Sequence, residues 1–317
     1  MYINSSRAES GVIRDQDMDH RTARMAHAQT SGRTTLASRV WLAVAIALLA
    51  FHGVAYAGAD ALPPLAAEFT REVDMRLDVP QTERLDYAKR LDAALLATGH
   101  TNLAAQYLVV VDRSPFVQAG LIYFRSPEGE WHLVGASPIA TGLPGTFDHF
   151  LTPLGVFAHT LDNMDFRAEG TKNSLGIRGY GARGLRVYDF GWVMGERGWG
   201  TPGTSIMRLQ MHATDPDILE PRLGRPHSKG CIRIPASLNR FIDRYGLIDA
   251  EYERAAQQGR HLWVLLPART PTRWPGKYLV VIDSERESRP AWAIWPPPRT
   301  MRPSAPVRGA NDPSSVC

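Results

Sequence analysis

The chain has 317 residues, 44% of them hydrophobic and 21% charged, a balance that supports one sizeable core plus appended segments and excludes a wholly disordered protein. The formal net charge is only +4, and the arginines are scattered rather than gathered into a stripe with interleaved aromatics, so a nucleic-acid partner is not expected.

In chain order, the first element is the uninterrupted apolar run VWLAVAIALLAF at 40–51, with Arg33 and Arg39 before it and Ala55-Tyr56-Ala57 after it. A basic flank, a short apolar stretch and an A-x-A end are the parts of an export signal. Residues 1–57 are therefore read as an N-terminal extension and signal peptide, with retention as an inner-membrane anchor as the alternative. The mature chain is expected in the periplasm or cell envelope.

Residues 58–103 carry apolar side chains at helical spacing, Leu65, Phe69 and Val73 and then Leu85, Tyr87, Ala88, Leu91 and Leu95, broken at Pro80. Two short amphipathic helices that pack on the domain behind them are predicted. From Gln106 the texture changes to short runs rich in Val, Ile, Tyr and Phe between turn residues, at 107–112, 119–124, 132–141, 154–160, 185–192, 206–212 and 261–267. These predict a mainly β body over 104–268, a sandwich or curled sheet, with small helices near 236–245 and 250–258. Residues 269–317 form a C-terminal extension with one further strand-like run at 277–283 and a proline-rich, unstructured end. Tyr180 and Trp192 are read as lining a substrate groove or packing the core, with the core favoured for Trp192.

Chemistry concentrates in residues 211–235, MHATDPDILEPRLGRPHSKGCIRIP. A strand ends in His212, a polar loop follows, and Ser228-Lys229-Gly230-Cys231-Ile232-Arg233 closes it. An exported protein that keeps a free thiol needs a chemical reason for it. The other cysteine, Cys317, ends a tail that nothing obvious anchors, so Cys231 is read as free. Acyl transfer through a thiol requires an imidazole to take its proton and backbone amides to face the oxyanion. Cys231 and His212 fit the first pair of roles, and the chain at Gly230 and Cys231 fits the second. His227 is read as a solvated loop residue, with a place next to the site as the alternative. Together with His212 and Cys231 it lacks the tight spacing of a zinc site, so no metal is assigned.

The combination resembles the L,D-transpeptidases, whose pattern is His-Gly-Thr, a loop, then Ser-His-Gly-Cys or Ser-Lys-Gly-Cys followed by Ile-Arg. Here the pattern stands as His212-Ala213-Thr214 and Ser228-Lys229-Gly230-Cys231-Ile232-Arg233. Upstream, Ala140-Thr141-Gly142 and Thr152-Pro153-Leu154-Gly155-Val156-Phe157 resemble the family's other elements, and the likeness covers roughly 106–267. It implies an L,D-transpeptidase-like fold in which Cys231 forms a thioester with a peptidoglycan tetrapeptide stem and releases D-Ala. An amine on a second stem or on a wall-linked protein then resolves the thioester, and no cofactor is needed. Water as acceptor would make the same site a hydrolase, and loss of the chemistry would leave a peptidoglycan-binding envelope protein. Two departures stand out. Ala213 replaces a glycine, so the carbonyl that orients His212 must tolerate a Cβ, and Lys229 places a cation beside Cys231 where it would lower the thiol pKa. Arg233 is expected to pair with a carboxylate of the stem or of the protein.

Overall fold

Successive side chains of the strand β1 (Gln106–Asp112) enter two different apolar environments. Val109 and Val111 join one core, while Leu108 and Val110 join another, as the twofold period of a strand requires. The run is continuously apolar because its sheet is covered on both faces. The structure, a computed structural model, describes residues 63–295. All belong to one compact unit that begins at Asp60.

The architecture is mainly β, with two mixed sheets and a few small helices. The first sheet adds β2 (Ala119–Arg125), β3 (Trp131–Pro138), β4 (Gly155–Ala158) and β9 (Tyr278–Ile282) in the order β3-β2-β1-β9-β4, with β9 parallel to β1. The second runs β5-β6-β7-β8, from β5 (Phe166–Arg167), β6 (Arg186–Glu196), β7 (Thr204–Ala213) and β8 (Ile232–Ile234), with β8 parallel to β7. The sheets share a core in which Tyr107, Ile122 and Leu279 meet Tyr188, Leu209, Met211 and Ile232. On the outer face of the first sheet lies the helix α2 (Gln81–Ala97), which contributes Tyr87, Leu91 and Leu95. It starts directly after Pro80, whose missing N–H costs nothing at a helix entrance. A shorter helix, α1 (Ala66–Glu72), adds Phe69 to the shared core.

After β8 the chain enters α3 (Ala236–Tyr245), whose Leu238, Phe241, Ile242 and Tyr245 follow helical spacing into the core. Gly246, at φ 56°, ends it with an N–H to the carbonyls of Ile242 and Asp243. A second helix, α4 (Ala250–Gln257), follows.

Three expectations need correction. The apolar run 261–267 forms turns, not a strand. Its Leu262, Val264 and Leu265 pack with Tyr252 and Ala255 of α4, so burial is satisfied without a strand partner. The run at 277–283 is a strand between β1 and β4, so the sheet extends past the boundary placed at 268. Trp192 is 67% exposed rather than buried. The pairing of β6 with β7 shifts between Asp189 and Trp192, and the extra residue reverses which side chains face inward: Tyr188 and Phe190 before it, Val193 after it. The apolar segment at 40–51 and Cys317 lie outside the described residues. Among those described, no helix is long and apolar enough to cross a membrane.

Candidate active site

The alternation of β7 separates core from chemistry. Leu209 and Met211 face the shared core, which turns Arg208, Gln210 and His212 to the opposite face. On the parallel neighbour β8, Met211 is opposite Ile232 and His212 opposite Arg233. Cys231, one residue before β8, therefore comes beside Gln210 on the face that carries His212. Its sulfur lies 3.9 Å from the Arg208 carbonyl oxygen and within reach of the Gln210 N–H. Among the described residues it makes no hydrogen bond to His212.

His212 is 5% exposed. Its Nδ1 stands 2.6 Å from the Ala213 carbonyl oxygen, which assigns the proton to Nδ1 and leaves the Nε2 lone pair free. The carbonyl that orients the base is thus that of Ala213 itself. The alanine Cβ is accommodated in a small cluster with Leu185 and Ala236. Tyr180 packs edge-on against the imidazole at 4.7 Å between ring centres and donates its hydroxyl to Gln210 Oε1 at 3.1 Å. Gln210 Nε2 in turn donates to Asp189, which also receives Arg208 Nε at 2.8 Å.

The loop before Cys231 is held by the motif pieces that the sequence separates by dozens of residues. Ala140 bridges to Arg233 and Gly142 to Ser228. Thr152 Oγ1 donates to the Gly230 carbonyl at 2.8 Å and receives the Gly142 N–H at 3.0 Å. Gly142 admits no side chain here, since a Cβ would fall 1.8 Å from the Phe150 carbonyl oxygen. Gly230 has φ +126°, and a Cβ there would lie 2.8 Å from Met207 Cε. Ser228 Oγ accepts the Gly230 N–H at 3.0 Å and donates to the Cys231 carbonyl at 2.5 Å. The Gly230 amide is thus occupied within the loop.

Lys229 does not face the thiol. Its Nζ pairs with Asp148 at 3.1 Å on an exposed edge. The cation that acts on Cys231 is Arg233, which together with the Gln210 N–H opposes the effect of burial. Burial prevails and holds the thiol above its ordinary pKa. Burial likewise brings His212 down to about 4, against its bond to Ala213 and with help from the Arg233 charge. The resting pair is therefore thiol and neutral imidazole. Alkylation of Cys231 by iodoacetamide should accordingly be slow at pH 7 and still rise above pH 9. Arg233→Gln should displace that profile to higher pH, and Lys229→Ala should leave it in place. A rate plateau below pH 7 would show an ion pair instead.

Arg233 itself makes no ion pair among the described residues. Its Nη1 contacts His227 Nδ1 at 2.9 Å and the His227 carbonyl at 2.8 Å, while its Nε is buried without a partner. Sequence reasoning assigns no role to Gln210 and reads Asp189 as an ordinary strand end and His227 as a solvated loop residue or a neighbour of the site. Nothing in their spacing reveals them, since it is pairing across β6, β7 and β8 that gathers them. A cavity of about 610 Å³, lined among others by Phe166, Asn173 and Trp263, meets this group through Tyr180, while His212 and Cys231 do not line it. Among the described residues no group of His, Cys, Asp and Glu is arranged to hold a metal ion. No protein-family model matches the chain, and a search of curated proteins found no match.

Proposed function

We propose that the chain is a cysteine acyltransferase of the L,D-transpeptidase type, acting on peptidoglycan stem peptides in the cell envelope. The observation that carries this reading is one sheet face that presents a free thiol, an imidazole oriented through Nδ1 and an unpaired guanidinium. The cavity beside Tyr180 has the size of an ordinary small-ligand site.

Cys231 Sγ attacks the stem carbonyl as its proton passes to His212 Nε2. Because His212 titrates near 4, it takes that proton during the attack rather than by forming an ion pair beforehand. The carbonyl oxygen gains charge against the Cys231 N–H. His212 then protonates the departing D-Ala nitrogen, the C–N bond breaks and a thioester remains. An acceptor amine, on a second stem or a wall-linked protein, attacks the thioester, and the thiol recovers its proton. Arg233 binds a substrate carboxylate with its free edge.

Intact-mass spectrometry of the full chain with disaccharide tetrapeptide tests the reading. The expected result is a thioester adduct and D-Ala release in the wild type and neither with Cys231→Ala. Absence of both from a folded wild type rejects it. With an added amine acceptor, a cross-linked product marks transfer, and a shortened stem alone marks hydrolysis.

A further inference from the structure

Beside the thiol, two arginines contact one histidine and a third stands two residues before it, with no carboxylate between them. Arg233 Nη1 lies 2.9 Å from His227 Nδ1, and Arg222 Nη1 lies 3.2 Å from His227 Nε2. Arg225, stacked 4.4 Å over the Trp295 ring, adds a third charge that His227 senses. Among the described residues none of the three forms an ion pair. Both ring nitrogens of His227 thus face guanidinium donors, yet a neutral imidazole has only one nitrogen able to accept. Burial and the surrounding arginines bring its pKa down to about 4, so protonation does not resolve the conflict and would add a fourth positive charge. The arrangement lacks an anion.

We propose that Arg222, Arg225 and Arg233, grouped around His227, form an anion-binding site for a carboxylate of the peptide that reacts at Cys231. Arg233 decides the geometry. Its Nη1 is held by His227 and its Nε is buried without a hydrogen-bond partner, so the Nε and Nη2 edge is the one to take both oxygens of a carboxylate. The site is held in place from below. The His227 and Ser228 amides both donate to the Thr141 carbonyl, and the Arg233 amide donates to Ala140, so these side chains are fixed to the same clamp that positions the nucleophile. Arg222 and Arg225 are exposed and form the outer rim that attracts the anion. Only the identity of the molecule that carries the carboxylate rests on the proposed function.

The test is a titration of the full chain, labelled with 13C-histidine, with N-acetyl-D-alanine, with its amide and with inorganic phosphate. The imidazole signal that His227→Gln removes serves as the reporter. The expected result is a saturable shift of that signal with N-acetyl-D-alanine and none with the amide. Arg222→Gln combined with Arg225→Gln should weaken binding by about tenfold or more, as loss of charge-assisted hydrogen bonds does. No saturation with the carboxylate, or unchanged affinity in the double variant, overturns the site. Tighter binding of phosphate than of carboxylate overturns the assignment to a peptide. The binding assay needs no turnover. Carboxylate binding without any thioester therefore rejects the acyltransferase reading alone, and a thioester without carboxylate binding rejects this one alone.

Discussion

Arg186→Met is expected to cost about 3–5 kcal/mol of stability, the usual result of removing one partner from a buried ionic cluster. Arg186 is fully buried at the start of β6. It reaches Asp165 through Nε at 2.6 Å, Asp249 through Nη1 at 2.7 Å and Nη2 at 2.9 Å, and Asp243 at 3.3 Å. Arg167 shares Asp243 at 2.9 Å, and His159 contacts Asp165 at 2.9 Å and Asp249 at 3.6 Å. With His159 protonated, three cations match three carboxylates. Methionine fills much of the arginine's volume but leaves carboxylates without their counter-charge. Urea unfolding measures the loss, and a midpoint equal to that of the wild type would show the cluster to be energetically idle. The same cluster ties stability to pH. Burial works against charge on His159, but Asp165 and Asp249 outweigh it and raise its pKa. Its contribution is therefore complete below the unfolded value near 6.5 and disappears as pH rises through the folded value. Asp165 behaves oppositely. Burial opposes its charge, yet His159 and Arg186 hold its pKa down, so its contribution is lost only in strong acid.

His212→Gln is expected to slow thioester formation by about 10²–10⁴-fold, the range that a positioned general base supplies. Glutamine retains a donor for the Ala213 carbonyl, so the variant removes basicity rather than fold. Two readouts separate that role from a structural one. Alkylation of Cys231 above pH 9, where solvent removes the proton, should match the wild type. In the wild type, kcat/KM should fall in acid around the His212 value of about 4 rather than at the ordinary 6.5, because below it the imidazole is already protonated and cannot accept from the thiol. A variant within tenfold of wild type at neutral pH would remove His212 from the mechanism.

Apart from the run at 261–267, the strand runs and the two helices after β8 were legible because each is decided locally. Continuous β-branched runs are stable only as covered strands, and Leu238, Phe241, Ile242 and Tyr245 form a helical stripe whatever they pack against. The glycines of the candidate site were legible too, since Gly142 and Gly230 stand where no side chain fits, and Ser228, Gly230 and Cys231 lie within one short loop. Their partners were less so. Trp192 is favoured for the core as a large aromatic, but one extra residue in β6 turns it outward. Lys229 is adjacent to Cys231 in order, yet a loop alternates its side chains, and the lysine went to Asp148 while Arg233 took the position facing the thiol.

By itself, then, the sequence determined the β-rich body and the helix that follows Pro235, because these depend on residue type and short spacing. Only the tertiary structure decided that β9 completes the first sheet, that Tyr180 and Gln210 stand beside the imidazole and that His227 lies between unpaired arginines. Each of those depends on strand order and register, which arise from contacts between residues far apart in the chain and leave no mark on the spacing of either partner.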